Sequence, residues 1–373
     1  MIGISIAVII GLIIILISLF MNFSPQFGKR ATKEQKIEYA KSGHFEKGKF
    51  INQSPTTMDI QLFVLIKEML DGSVQRKPKI NIPVNKIEPA VLVNNDANIT
   101  RLTWLGHSTF LLEMDGKTIL IDPMFGETPS PLSLIGTKRY SEELPINIEE
   151  LPAIDAVILS HDHYDHLDYG SIQKLKGKVD HYYTPLGAGN HLIEWGIAED
   201  KVHELNWWDS IEFDSISLVC TPARHFSGRG LFDRAATLWC SWVIVGKKDN
   251  IFFSGDSGYD THFKEIGEKY GPFDISLMEC GQYHNNWQLY HMMPEESVQA
   301  SIDLKSKLTL PIHWGAFTLA LHDWTDPITR FSTKANELNV SVATPKIGEP
   351  VILGNATYPT EQWWTDYMEQ NKN

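Results

Sequence analysis

Three histidines and two aspartates lie close together directly after an apolar run, and this stretch restricts the possible fold most. The apolar run is Ala156-Val157-Ile158-Leu159, and the polar segment after it is Ser160-His161-Asp162-His163-Tyr164-Asp165-His166. Alternate side chains of an extended chain share a face, so His161 and His163 can point the same way. Once the chain turns, Asp165 and His166 can approach from the other side. A solvated, His-rich turn is the alternative, but the pattern favours a metal site, and for two adjacent ions rather than one.

Three later segments offer further ligands, each at the end of a predicted strand. His225 follows the apolar run 216–220, Asp256 lies in a glycine-rich turn after 251–253, and His313 follows 308–312. Each alone is weak evidence, since a lone histidine is more often a core or surface residue. Glycines beside Asp256 allow the backbone to come close to an ion. Together the segments give an ordered set of seven candidate metal ligands.

The ligand order His-x-His-x-Asp-His, then His, Asp and His resembles that of the metallo-β-lactamase superfamily. The resemblance implies that His161, His163 and His225 hold a first metal, while Asp165, His166 and His313 hold a second. Asp256 would bridge both. Imidazole and carboxylate ligands suit zinc, and also iron or manganese. Two zinc ions would activate water for hydrolysis of a phosphodiester or another ester.

Further strings resemble one family, the N-acyl-phosphatidylethanolamine-hydrolysing phospholipases D and their bacterial relatives. These strings are Trp104-Leu105-Gly106-His107-Ser108-Thr109, Ile121-Asp122-Pro123, 238–242, 255–259, 271–274, 294–296 and His313-Trp314-Gly315. The resemblance implies cleavage of N-acylated phosphatidylethanolamine to an N-acylethanolamine and phosphatidic acid. Residues 279–293 depart from the more apolar vertebrate pattern, so headgroup and acyl-chain contacts do not transfer. A lactonase or esterase of soluble substrates and a non-catalytic lipid-binding membrane protein are the alternatives.

This resemblance and the positions in the sequence suggest catalytic or orienting roles for several polar residues near the predicted metal centre. Asp165 or Asp256 would orient the attacking water, and His291 matches a family histidine that could hold a phosphate oxygen or assist the leaving group. A supporting role beside the metals is the alternative for His291. Asp122 is expected to be a buried acceptor that orients the metal loop, with His107 beside it. Two further histidines, His284 and His322, are expected outside the ligand set.

The alternation of strand and helix patterns after residue 98 predicts a domain of the α/β class over 99–373, and the metal motif within it makes this the expected hydrolase domain. The dipeptide Asp115-Gly116 between two β-rich runs indicates a hairpin, and helices are expected over 261–270 and 294–304. The family resemblance implies the αββα sandwich of the superfamily. Residues 23–98 are expected to form an extension, with an amphipathic helix near 58–70 that packs on the core or rests on lipid.

The first 22 residues predict an uncleaved transmembrane anchor. Residues 2–21 carry no ionisable side chain, and about 20 residues of helix span a bilayer core. A cleaved signal peptide is the alternative, but the stretch lacks a basic start and a small-residue cleavage site. The positive charges that follow are Lys29, Arg30, Lys33 and Lys36. They predict a single-pass membrane protein with a cytoplasmic catalytic domain.

The net charge of −13 argues against nucleic acid as a partner, because no basic stripe is available to neutralise phosphates. The expected partners are a phospholipid or other ester substrate and the membrane, through the N-terminal helix. Cys220, Cys240 and Cys280 fit neither a paired disulfide framework nor a Cys-x-x-Cys metal motif, so reduced core thiols are expected. No pattern in the sequence indicates an oligomeric state.

Overall fold

The computed structural model describes residues 2–58, 60–93, 96–132 and 136–369. The helices are α1 (Ile2–Phe23), α2 (Lys33–Tyr39), α3 (Leu62–Leu70), α4 (Pro89–Val93), α5 (Tyr169–Leu175), α6 (Gly189–Glu194), α7 (His262–Lys269), α8 (Pro294–Asp303), α9 (Asp326–Leu338) and α10 (Thr365–Glu369). The strands are β1 (Phe45–Glu46), β2 (Lys49–Phe50), β3 (Arg101–Gly106), β4 (Thr109–Met114), β5 (Lys117–Ile121), β6 (Ile154–Ile158), β7 (Val179–Pro185), β8 (Val202–Leu205), β9 (Ser210–Phe213), β10 (Ile216–Thr221), β11 (Ser241–Val245), β12 (Asn250–Phe253), β13 (Ile275–Glu279), β14 (Thr309–Ile312) and β15 (Pro350–Ile352).

Two mixed sheets form the centre of the molecule. One has the order β15-β3-β4-β5-β6-β7-β8, and the other β14-β13-β12-β11-β10-β9, while β1 and β2 form a separate hairpin. Strands β5 to β8 run parallel to one another, and so do β12 to β14. The carboxyl ends of such parallel strands meet at one edge of each sheet, where polar loop residues can gather.

The two sheets pack face to face, with helices on both outer faces. On β4, Phe110 and Leu112 contribute to the central core together with Phe253 of the other sheet. Leu111 points the opposite way, into a cluster that includes Ile172 of α5. The second sheet uses Phe252 and Val243 in the same manner, against residues of α7 and α8. The predicted αββα sandwich is therefore confirmed.

The predicted local elements are present close to their expected bounds. Asp115 and Gly116 have φ values of 53° and 78°, the left-handed pair that a tight hairpin between β4 and β5 requires. Helices α7 and α8 occupy the two segments predicted to be helical. All three cysteines are free and buried, as expected.

The extension before β3 contributes to the central core through Tyr39, Phe50 and Ile82, which are all buried. Helix α3 lies within the predicted amphipathic stretch, but it contains no buried residue. Phe63 is 84% exposed and Leu70 is 80% exposed. The interpretation that α3 packs its apolar face on the core is wrong, because polar contacts hold the helix and leave that face open.

The predicted transmembrane helix over residues 1–22 is not supported. Helix α1 covers the segment, but its side chains are described only from Gly11 onward, without Ile14. Among the residues that the structure describes to that level, no helix combines the length and apolar character needed to cross a membrane.

Candidate dinuclear metal centre

The first group of ligand candidates comes from the loop after β6 and the segment after β10. Nε2 of His161 lies 2.9 Å from Nδ1 of His163, and Nε2 of His225 lies 3.2 Å from the same atom. Asp256 adds a carboxylate 3.7 Å from His161 and 3.8 Å from His225. Imidazole lone pairs that face one another at these distances can share a cation. The four side chains could therefore hold one metal ion.

The second group adjoins the first through Asp256. His166 Nε2 lies 3.1 Å from Asp256 Oδ2 and 3.5 Å from Asp165 Oδ2. His313 Nδ1 lies 3.2 Å from Asp256 Oδ1. His107 completes this group, with Nε2 2.9 Å from Asp165. Asp256 is thus the carboxylate that contacts ligand candidates of both groups, the position predicted for a bridge.

Two buried atoms support the fit of cations to these groups. Nε2 of His166 and Oδ1 of Asp256 make no hydrogen bond to any described residue, although both are shielded from water. Unpaired buried polar atoms cost about 1–3 kcal/mol each. Metal ions bound to the imidazole of His166 and the carboxylate of Asp256 would satisfy these two atoms. The donor set of imidazoles and carboxylates suits zinc, iron or manganese.

The protonation states favour metal binding at most of these positions. Burial lowers the pKa of His163 to about 4 and that of His161, His225 and His313 well below its usual value. Those rings are therefore neutral ligands near pH 7. Burial also raises the pKa of Asp256 to about 6.

His166 is the exception among the histidines. Burial disfavours its charged form, but Asp256, Asp165 and Asp122 outweigh burial and raise its pKa well above the usual value. The same ring lowers the pKa of Asp165 against the effect of burial. In the metal-free protein, a proton on His166 therefore balances part of the carboxylate charge that cations would otherwise neutralise.

Asp122, which directly follows β5, holds the metal loop in place. Its Oδ1 accepts a hydrogen bond from Ser160 N at 2.7 Å, and its Oδ2 accepts from Ser160 Oγ at 2.5 Å. The same Oδ2 lies 2.6 Å from Nδ1 of His166, which directs Nε2 of that ring toward the centre. The predicted orienting role of Asp122 is confirmed by these contacts.

Asp122→Asn should lower metal affinity about 10- to 100-fold. The amide has one oxygen instead of two, so either Ser160 or His166 would face a nitrogen that cannot accept its hydrogen bond. Competition with a chromophoric chelator measures the affinity. Asp155→Asn, at the opposite end of β6, is the matched control and should leave the affinity unchanged. Equal affinities for wild type and Asp122→Asn would remove Asp122 from this role.

Asp162, which lies between the ligand candidates His161 and His163, points away from the centre. It accepts hydrogen bonds from Gly228 N and Thr237 Oγ1, and it contacts Nε2 of His191 at 3.2 Å. Nδ1 of His191 in turn accepts from Lys29 N. The segment after α1 is thereby linked to the metal loop. The sequence pattern gave no signal for this link, because His191 and Lys29 lie far from the motif.

The remaining histidines divide between the cavity and more distant contacts. His291 lies on the wall of a cavity of about 240 Å³ that also includes His163, Asp165, Asp256 and His313. His284 pairs with Glu68 of α3 at 2.5 Å, and His322 accepts from Gln282 N, so both lie outside the ligand groups as expected. Sequence reasoning missed Glu279, which is fully buried beside His291.

Known proteins with similar sequences also contain a domain of this kind. Residues 117–314, more than half of the 373, match the family model described as a β-lactamase superfamily domain. The chain belongs to the β-lactamase superfamily. A relative from Hyperthermus butylicus, 29% identical over 224 residues, is named a metal-dependent hydrolase, in agreement with the two ligand groups.

Relatives resemble the chain over most or part of its length, and a solved structure shares its fold. An uncharacterised protein of Mycobacterium tuberculosis is 38% identical over 345 residues, which cover 90% of this chain and 89% of that protein. N-acyl-phosphatidylethanolamine-hydrolysing phospholipase D 1 of Caenorhabditis elegans is 36% identical over 234 residues, 60% of this chain and 65% of that protein. The structure of Igni18, a metallo hydrolase of Ignicoccus hospitalis, shares the fold with a TM-score of 0.52 at 22% identity, covering 69% of this chain and 99% of that one.

Proposed function

We propose that this hydrolase is a dinuclear phosphodiesterase of the phospholipase D type, which acts on N-acylated phosphatidylethanolamine or a related lipid. One observation carries the proposal. Five histidine and aspartate side chains from four separate loops line a single cavity, while the rest of its lining is largely apolar. A polar reacting group can meet the histidines and aspartates while a lipid chain contacts the apolar part of the lining.

The ligand assignment follows the two groups, except that His107 would orient Asp165 instead of binding a metal ion. His161, His163 and His225 would hold a first cation, Asp165, His166 and His313 a second, and Asp256 would contact both. We propose zinc, with iron or manganese as alternatives. Two cations bound there would act as Lewis acids and make water acidic enough to react near neutral pH.

Three side chains of the cavity would act on the reacting atoms. Asp165 and Asp256 reach the cavity and can accept a hydrogen bond from the attacking water, which orients it toward phosphorus. His291 lies on the same wall, with its ring centre 4.9 Å from that of His225 and 5.4 Å from that of His313. It can donate a proton to the leaving alcohol oxygen.

The lipid part of the proposal is supported by the cavity wall and its surroundings. Met58, Phe226, Trp287, Tyr290 and Leu319 line the cavity. Met58 lies four residues before Leu62, the first residue of α3, and most apolar side chains of that helix are exposed to solvent. The Caenorhabditis elegans relative is named for hydrolysis of N-acyl-phosphatidylethanolamine. We place the enzyme at a lipid surface, where α3 can face the lipid.

Purified, zinc-loaded enzyme incubated with N-acylated phosphatidylethanolamine in mixed micelles should release N-acylethanolamine and phosphatidic acid. Mass spectrometry of the extracted lipids measures both products. Ordinary phosphatidylethanolamine in the same micelles serves as the comparison substrate, and His163→Ala protein as the inactive control. A zinc-loaded enzyme that ignores these lipids but opens lactones or cleaves carboxylic esters would replace this proposal with a soluble-substrate hydrolase.

A further inference from the structure

A buried carboxylate, Glu279, lies behind His291 at the end of β13 and is 0% exposed. Its Oε2 is 3.0 Å from Nδ1 of His291, and its Oε1 accepts from Met292 N at 2.9 Å. One side chain therefore contacts the imidazole of His291 and anchors the backbone directly after it.

The contact determines which edge of the His291 ring faces the cavity. Because Nδ1 is directed at Glu279, Nε2 is the nitrogen left for the cavity. The ring lies nearly parallel to that of His313, at 13°, so it covers the region where the two ligand groups meet. A leaving group in that region would meet Nε2.

Packing alone does not account for a carboxyl group at this place, because a neutral amide side chain can also accept from a backbone N–H. Among the described hydrogen bonds, the one side-chain nitrogen that Glu279 contacts is Nδ1 of His291. A carboxyl group there holds the orientation of the ring and, unlike an amide, can exchange a proton with Nδ1 while Nε2 donates one toward the cavity.

We propose that Glu279 is the positioning residue that holds His291 as the proton donor for the leaving group. The inference rests on the proposed hydrolysis of a phosphodiester. Water forms the new bond to phosphorus, and the bond between phosphorus and the alcohol oxygen breaks with its electron pair on that oxygen. The Nε2 proton of His291 passes to the alcohol oxygen, and a proton from the attacking water returns to Nε2. One water is consumed, and the products are an alcohol and a phosphate monoester.

The experiment compares two phosphodiesters that differ only in the leaving alcohol, p-nitrophenol in one and a simple alkyl alcohol in the other. Nitrophenolate leaves without a proton, whereas an alkoxide needs one. Glu279→Gln and His291→Gln should each lower kcat about 100-fold for the alkyl substrate. For the nitrophenyl substrate, each variant should lower kcat only about tenfold. The double variant should lose no more than His291→Gln alone, since the two residues act through one proton.

Controls separate this role from a structural one. Glu279→Asp, which keeps the carboxyl group, should recover part of the alkyl rate, and it also serves if Glu279→Gln fails to fold. Glu68→Gln removes the carboxylate that pairs with the more distant His284 and should not change the ratio of the two rates. Equal losses on both substrates would overturn the inference. So would loss of a metal ion from Glu279→Gln, because Glu279 would then be a ligand together with Asp256, His291 and His313.

The proposed function and this inference can fail separately. If wild-type enzyme cleaves carboxylic esters but no phosphodiester, the function proposal fails, and nitrophenyl and alkyl esters test the Glu279–His291 pair in the same way. A leaving-group dependence in that series would support the pair without the phosphodiesterase. A metal-loaded enzyme that cleaves neither class would overturn both.

Discussion

Asp256→Ala should remove metal from both halves of the centre and lower activity by roughly 10³-fold or more. Asp256 contacts His166 and His313 of the second group, and it lies 3.7 Å from His161 of the first. Removing it leaves each cation short of a ligand and takes away the negative charge between them. Lewis acidity from such ions lowers a barrier by several kcal/mol, and each 1.36 kcal/mol is tenfold in rate.

Elemental analysis of dialysed protein, together with initial rates, measures the effect. Wild type should retain about two metal ions per chain, and Asp256→Ala clearly fewer than one. His225→Ala is the informative comparison, because His225 belongs to the first group alone and should weaken one ion more than the other. Asp200→Ala, on the exposed surface, controls for purification and handling. Full metal content and activity in Asp256→Ala would show that the centre is not dinuclear as assigned.

The candidate site was predictable from sequence because its ligands follow strand ends. His161, His225, Asp256 and His313 each stand a few residues beyond an apolar run, and the carboxyl ends of strands β6, β10, β12 and β14 bring these loops together. Short-range signals also gave the hairpin at Asp115 and the helices α7 and α8. Strand order could not be obtained in this way, since it depends on pairings between residues distant in sequence. The sandwich was implied by family resemblance rather than by periodicity.

Residues that support the site from outside the motif were harder to predict. Glu279 sits at the end of a strand whose other residues are apolar or small, and a lone glutamate there gives no signal about its partner. The link from Asp162 through His191 to Lys29 spans more than 130 residues of sequence. The failed prediction for α3 has a related cause. An apolar helical face indicates that something can cover the face, but it does not identify the core as the cover.

Gly281 gives the second large prediction, because a methyl group there would collide with the backbone that carries His313. A Cβ added to Gly281 would lie 2.1 Å from the carbonyl oxygen of His313 and 3.2 Å from Cβ of Trp314. Gly281 does not have a positive φ, so alanine suits its backbone conformation and the effect is purely steric. The oxygen cannot move alone, since His313 N bonds to His107 O and Gln282 Nε2 to His313 O.

Gly281→Ala should therefore displace His313 by on the order of 1 Å, and misplacement of that size near the chemistry costs about 100-fold in activity. Overpacking should also lower the free energy of unfolding by about 1–3 kcal/mol. Initial rates, metal content and urea unfolding measure the three effects. Gly177→Ala is the matched control, because an added Cβ at this exposed position has no atom within 4 Å and should change none of them. If Gly281→Ala behaved like Gly177→Ala, the backbone of His313 would have to be free to move, and the contacts at His313 N and O would not hold this ligand in place.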